Sequence, residues 1–248
     1  MLKGVTALKA LRIENLTVEI SGKRVLEGVN LDVPKGETHV LLGPNGSGKT
    51  SLITSILGFP SCHILSGKIR FNGTDVTTMP TDERVKLGIG AAFQNPPQIR
   101  GVKLGDVLRH LTKGKVDEVK LAGTTNIPVD FFGRDLNLGF SGGELKRTEI
   151  LQLLAQRPDF AIFDEPDSGV DVENLEVVGK AINEFLKKRS GLLITHLGHI
   201  LRYLKVDKAH VMFYGTVACS GKPTMIIDRI MKRGYKWCER CPKVKRLR

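Results

Sequence analysis

The sequence predicts an α/β fold: a mainly parallel sheet with helices on its faces, an antiparallel β subdomain at its start and an inserted helical subdomain. Three observations predict it. The apolar run Thr38–Leu42 ends on a glycine-rich loop that opens a helix-like stretch, Lys49–Leu57. Ahead of it, apolar residues alternate or are β-branched between turn signals. After Gly143, helix-like and apolar strand-like segments alternate, and βα units of that kind place their strands in parallel.

In chain order, residues 8–13 and 16–20 read as strands, Ser21-Gly22-Lys23 as a turn, and residues 25–33 as the returning strand. Pro34-Lys35-Gly36 punctuates before the buried-type strand. A further strand pair flanks Asn72-Gly73. Residues 96–140 change character, with Pro, Gly and short helical patterns such as 104–111, and are expected to form the helical subdomain inserted between core segments 8–95 and 141–222. The alternation then resumes: helix 144–154, strand 160–163, helix 175–186, strand 192–195. Residues 223–248 are left as a basic C-terminal helix or tail of the same single domain.

The hydrophobic fraction of 41% and charged fraction of 26% are ordinary for a soluble globular protein. No apolar run approaches the roughly 18 residues that span a bilayer, and the first residues lack the apolar stretch and cleavage site of a signal peptide. A cytoplasmic protein with no direct membrane insertion is expected. The net charge of +12 is concentrated: from Lys232 onward there are eight Lys or Arg against the single acid Glu239. A solvated tail accounts for this, as does a basic arm meeting an acidic partner or nucleic acid.

Residues Gly43, Pro44, Asn45, Gly46, Ser47, Gly48, Lys49 and Thr50 complete a G-x-x-x-x-G-K-[ST] loop, with Ser51 following. The glycines let backbone N–H groups turn inward around phosphate, and the next helix presents its positive end. Lys49 is expected on the β- and γ-phosphates of ATP, and the Thr50 hydroxyl on Mg²⁺. Downstream, Phe160-Ala161-Ile162-Phe163-Asp164-Glu165 reads as a buried strand ending in two carboxylates. Adjacent side chains at a strand end point in different directions, so the acids can divide the work. Asp164 is expected to hold Mg²⁺ through its water shell and Glu165 to polarise the attacking water.

Between the two lies Ser141-Gly142-Gly143-Glu144, a second anion-binding helix terminus. One chain already cradles its own nucleotide, so this terminus suggests a nucleotide presented by a second copy. Here the sequence resembles the ABC ATPases, P-loop NTPases whose signature is a variant of Leu-Ser-Gly-Gly-Gln, and the remaining motifs follow in order over residues 8–222. Gln94 matches the Q-loop glutamine that senses Mg²⁺ and the attacking water, Ser168-Gly169-Val170-Asp171 the D-loop, and His196 the switch histidine that contacts the γ-phosphate. No aromatic lies near Val18–Ser21, where many ABC ATPases stack the adenine, which leaves base selectivity open.

Within that family the runs Phe93–Val102, Gly139–Gln152, Asp164–Asp171 and Ile194–Tyr203 look like those of the SufC group, the ATPases of iron–sulfur cluster assembly. The resemblance implies Mg²⁺-dependent ATP hydrolysis, a homodimer on ATP binding and a SufB-like scaffold protein as partner. The alternative is the ATP-binding subunit of a membrane ABC transporter. A nucleic-acid-handling ATPase is a third class, opposed by an insertion without heptads and by the confinement of excess positive charge to the tail. Two further expectations follow. Lys146, one turn inside the helix after Ser141, either pairs with the carboxylates of Asp167 and Glu165 when nucleotide is absent, holding the base away from water, or is a surface lysine. Cys238 and Cys241 form a metal-like pair that Cys62 and Cys219, or a second chain's pair, could complete; a reduced pair in a mobile tail and a role near a partner's cluster are the other readings.

Overall fold

The computed structural model describes residues 8–195 and 198–235. Strands β1 (Lys9–Ile20) and β2 (Lys23–Pro34) form an antiparallel pair. The two strands expected before Ser21 are one strand with a change of phase. Leu11 and Ile13 face inward, as do Leu16 and Val18, and the odd step between the pairs is absorbed at Asn15, which takes a left-handed φ of 46°. An extra residue of this kind bends the strand and keeps both halves' apolar sides on one face. Strand β3 (Thr38–Leu42) is buried throughout and leads through the glycine loop into helix α1 (Lys49–Leu57). Strands β4 (His63–Phe71) and β5 (Thr74–Asp75) complete an antiparallel sheet of order β2-β1-β4-β5.

Helix α2 (Thr81–Lys86) and strand β6 (Ile89–Ala92) follow. Residues 96–140 carry two short helices, α3 (Leu104–Thr112) and α4 (Glu118–Thr124), and a 3₁₀ turn at Val129–Gly133. They also carry a two-stranded ribbon, β7 (Ile99–Lys103) with β8 (Asp135–Leu136), which the helical reading of the segment omitted. Then come α5 (Gly142–Gln156), β9 (Phe160–Asp164), α6 (Val172–Leu186) and β10 (Ser190–Ile194). A hairpin of β11 (Lys208–Phe213) and β12 (Thr216–Gly221) precedes α7 (Pro223–Arg233). The second sheet runs β12-β11-β3-β10-β9-β6, parallel at every pairing except β11 with β12.

Strand alternation divides the core. Leu41, Phe160, Ile162, Leu192 and Ile194 pack with α1 and the antiparallel sheet, whereas Val40, Leu42, Ala161, Phe163 and Leu193 pack with α5 and α6. Each fully buried Leu or Ile among them contributes roughly 1.5–3 kcal/mol. A third cluster joins Leu104, Leu108, Ala122 and Phe131 of the inserted segment to Leu151 and Ala155 of α5. Because β3, β6 and β9 are parallel, their C-terminal ends share one edge of the sheet. Crevices at that edge are where open α/β sheets bind ligands.

Candidate functional site

A cleft of about 790 Å³ opens at this edge, lined by Asn45, Gly46, Gly48, Lys49, Thr50 and Ser51 of the glycine loop, by Gln94 and Glu165, and by Arg24–Glu27, Ser168, Tyr214 and Gly215. The loop's shape follows from its glycines. Gly48 caps α1 at φ 102°, and Gly43 lies so close to the β11 backbone that a Cβ there would stand 2.5 Å from the Met212 carbonyl oxygen. Lys49 is 7% exposed, and its ammonium donates to the carbonyls of Gly43 (2.9 Å) and Pro44 (3.0 Å). Burial lowers its pKa, against the opposing pull of Glu165 and Asp164. The Ser47 hydroxyl is buried without a hydrogen-bond partner. A buried orphan hydroxyl and a buried ammonium on one glycine loop suit an anionic ligand that accepts hydrogen bonds.

The acid pair is divided by backbone geometry. Asp164 ends β9 in extended conformation and is 6% exposed. Desolvation, then repulsion from Glu165, raises its pKa to about 6, against Lys146 and Lys49. Glu165 enters the left-handed region at φ 48°, rare for a residue with a Cβ, and its N–H donates to the Ile194 carbonyl at 2.9 Å. That turn carries its side chain to the cleft, where Oε2 accepts from Gln94 Nε2 at 2.5 Å. Thr50, Gln94 and Asp164 offer a hydroxyl, an amide oxygen and a carboxylate, a donor set suited to Mg²⁺.

The expected pairing of Lys146 with Asp167 and Glu165 is not what forms. Its ammonium, 3% exposed, donates to three main-chain carbonyls: Phe93 (2.9 Å), Gln94 (3.2 Å) and Asp164 (3.2 Å). The Asp167 carboxylate instead accepts from the Thr195 hydroxyl at 3.0 and 3.1 Å. The reason is position: a side chain projecting from the first turns of α5 meets the ends of β6 and β9, where carbonyls without a strand partner need donors. Burial lowers the Lys146 pKa, with Asp164, Glu149, Glu165 and Asp167 acting against it in that order. One turn on, Glu149 accepts from the Phe93 N–H at 3.1 Å. Helix α5 thus grips the segment carrying Gln94 from both polarities; sequence reasoning includes Glu149 in the run after Ser141 but gives it no role of its own.

Ser141, Gly142, Gly143 and Glu144 do not line the cleft. Ser141 caps α5, its hydroxyl accepting from the Glu144 N–H at 3.4 Å while its own N–H donates to the Glu144 carboxylate at 2.7 Å. That bond from the Ser141 backbone holds the Glu144 carboxyl below its ordinary range. The two glycines face the Gly169 carbonyl, which a Cβ would approach to 3.9 Å at Gly142 and 3.5 Å at Gly143. His196, Cys238 and Cys241 lie outside the described residues. Cys62 packs against the first core and Cys219 against the second. Among the described residues no group of three or more His, Cys, Asp or Glu is placed to hold a metal, and no helix is long and apolar enough to cross a membrane.

Comparison with known proteins adds to this geometry. The family model for the ABC transporter matches residues 26–168. Vegetative protein 296 of Bacillus subtilis is 40% identical over 93% of this chain and 94% of its own length. The probable ATP-dependent transporter ycf16 of Cyanidium caldarium is 39% identical over 92% and 95%. Among solved structures, a nucleotide-free ATP-binding cassette from an ABC transporter aligns with a TM-score of 0.76 at 25% identity, covering 96% of this chain and 97% of that one.

Proposed function

The chain belongs to the ABC transporter family of ATP-binding proteins, and from that premise we propose that it hydrolyses ATP in a site completed by a second copy of itself. The observation that carries this reading is Glu165, turned by its left-handed backbone into the glycine-loop cleft and hydrogen-bonded to Gln94. A backbone outlier of this kind is held in place by its surroundings and marks a site where orientation matters.

In this reading the amides of Gly46–Thr50 and the Lys49 ammonium bind the β- and γ-phosphates, Lys49 exchanging its Gly43 and Pro44 carbonyls for phosphate oxygens. Thr50, Gln94 and Asp164 would hold Mg²⁺, which when bound would neutralise charge on the phosphates. Glu165 accepts the proton of the attacking water, and Gln94 orients that carboxylate. The Ser141–Gly143 helix terminus, lying off its own chain's cleft, serves the γ-phosphate of the nucleotide held by the partner copy. His196 is assigned to the γ-phosphate, with no role across the two copies. Glu165→Gln keeps the shape and removes the base. Its hydrolysis rate should fall by roughly 10²–10⁴-fold while ATP still binds and a dimer accumulates on size-exclusion chromatography. Hydrolysis near the wild-type rate would reject the assignment.

For the partner, we propose a soluble SufB-like scaffold in iron–sulfur cluster assembly, supported by the runs around Gln94, Ser141, Asp164 and Thr195. The names of the relatives favour a second reading, the ATP-binding subunit of a membrane transporter. Affinity purification of the full chain separates them: a soluble scaffold in the eluate supports the first, and an integral membrane protein the second.

A further inference from the structure

The cleft's far wall has no role in the scheme above. Phosphates occupy the end formed by Gly46–Thr50, so whatever else ATP presents must face Arg24–Glu27 and the turn between β11 and β12. That turn is unusual. Phe213 pairs with Thr216, leaving Tyr214 and Gly215 as a two-residue loop with φ values of 45° and 72°. Both residues of such a loop sit in the left-handed region, where Asn-Gly is favoured and a bulky aromatic at the first position is disfavoured.

The loop is also tied to the phosphate end. The Gly215 N–H donates to the Ser47 carbonyl at 2.9 Å, and the Gly215 carbonyl accepts from the Glu27 N–H at 2.9 Å. Gly215 sits so close to β2 that a Cβ would stand 2.5 Å from the Val25 carbonyl oxygen. The position of Tyr214 is therefore registered against the glycine loop through two hydrogen bonds and one close backbone approach. Tyr214 as a whole is 51% exposed, and its ring meets Phe213 edge-on, with centroids 4.6 Å apart and planes at 73°. Among the described residues that line the cleft, Tyr214 is the one aromatic side chain.

We propose that Tyr214 is the platform on which the base of the bound nucleotide stacks, a binding residue supplied by the β11–β12 turn. The proposal rests on the ATP-binding reading above. Backbone cost at an aromatic turn residue, rigid registration to the phosphate loop and ring surface presented to the same cleft all favour a ligand with a flat π-face at one end and phosphate at the other. Stacking reads no base edge, so the contribution is common to adenine and guanine.

Isothermal titration of the full chain with ATP, GTP and inorganic tripolyphosphate tests this. Tyr214→Ala should weaken ATP and GTP alike by roughly 5- to 100-fold and leave tripolyphosphate within about twofold of wild type. Tyr214→Asn, which suits the turn, should lose the same base-dependent affinity at a melting temperature no lower than wild type, separating stacking from folding. Tyr214→Phe should bind ATP as wild type does. The proposal is overturned by Tyr214→Ala binding ATP like wild type, or by ATP and tripolyphosphate weakening in parallel, which would make the turn a support for Ser47. A wild-type chain that binds none of the three ligands would overturn the ATP-binding reading itself, and this proposal with it.

Discussion

The glycine loop and the carboxylate corner occupy one cleft but are built in different ways. In the loop, contacts are local: Lys49 bonds carbonyls five and six residues back, and Gly48 caps the helix that Lys49 opens. In the corner, contacts are distant. Gln94 reaches Glu165 across 71 positions, and Lys146 reaches the Phe93 carbonyl across 53. A local site survives small shifts of the domain because its atoms move together. A corner assembled from β6, β9 and α5 holds its geometry only while those elements keep their packing, and it responds when one of them moves. Binding is thereby placed on the rigid part and the proposed chemistry on the part that can be switched.

Three substitutions or conditions bear on that comparison, the largest effect first. Lys146→Met keeps the packed stem and removes the ammonium, leaving the Phe93, Gln94 and Asp164 carbonyls without their buried donor. We expect a stability loss of about 3 kcal/mol by urea denaturation, and a fall in kcat exceeding any change in ATP affinity. Unchanged kcat and stability would mean that the corner does not depend on α5.

Lys49→Ala should behave in the opposite way. Its two carbonyl partners lie on buried Gly43 and half-buried Pro44, against three for Lys146, so the melting temperature should fall by less than in Lys146→Met. ATP affinity should fall by roughly 10- to 100-fold, the worth of a charge-assisted bond to phosphate. A melting temperature that drops as far as that of Lys146→Met would break the distinction between local and distant construction.

The smallest effect comes from a long-range contact remote from the cleft. His210 on β11 hydrogen-bonds His39 on β3 at 2.9 Å, and the outer nitrogens reach Ser220 (2.7 Å) and Glu37 (2.8 Å). Burial, followed by His39 and Lys208, pushes the His210 pKa down to about 3, and burial lowers that of His39 as well. A depressed histidine stays neutral in the folded chain while the unfolded chain takes up protons below its ordinary pKa. The stabilisation is therefore complete above about pH 6.5 and is lost as pH falls toward 3, by roughly 1.4 kcal/mol per pH unit. Asp164, raised to about 6, works in the other direction, its contribution increasing as pH falls below 6. Comparing urea unfolding of wild type with His210→Gln at pH 7 and pH 5.5 cancels that common term. Equal pH dependence of the two proteins would show that the pair does not titrate as described.

The parts legible in the sequence are those whose physics is local. Thr38–Leu42 and Lys49–Leu57 were expected with the bounds they have, because a buried parallel strand is a continuous apolar run and a phosphate loop is one uninterrupted motif. The ends of β9 and α6 shifted by only a few residues. Where the expectation missed, distance along the chain or backbone conformation was responsible. The left-handed Asn15 makes one strand of two; asparagine enters that region readily, but its type does not say whether the strand ends there or continues through a bulge. Lys146 was sent to carboxylates because acids look like a lysine's partners in sequence, whereas the geometry put unpaired carbonyls nearer.

Glu149 and Tyr214 show the same division. Glu149 reads as one more polar residue on a helix, and only the packing of α5 against β6 makes it the acceptor for Phe93. Tyr214-Gly215 between apolar runs does signal a turn, but not one beside Ser47 and Val25. By itself the sequence determined the phosphate loop, the acid pair and the alternating βα order, since each is encoded in neighbouring residues and in the period of apolar side chains. Which strands became neighbours, which side chain faces Glu165 and which aromatic stands at the cleft were decided by tertiary structure. These depend on strand order and on the conformation of single residues, and neither leaves a periodic trace in the chain.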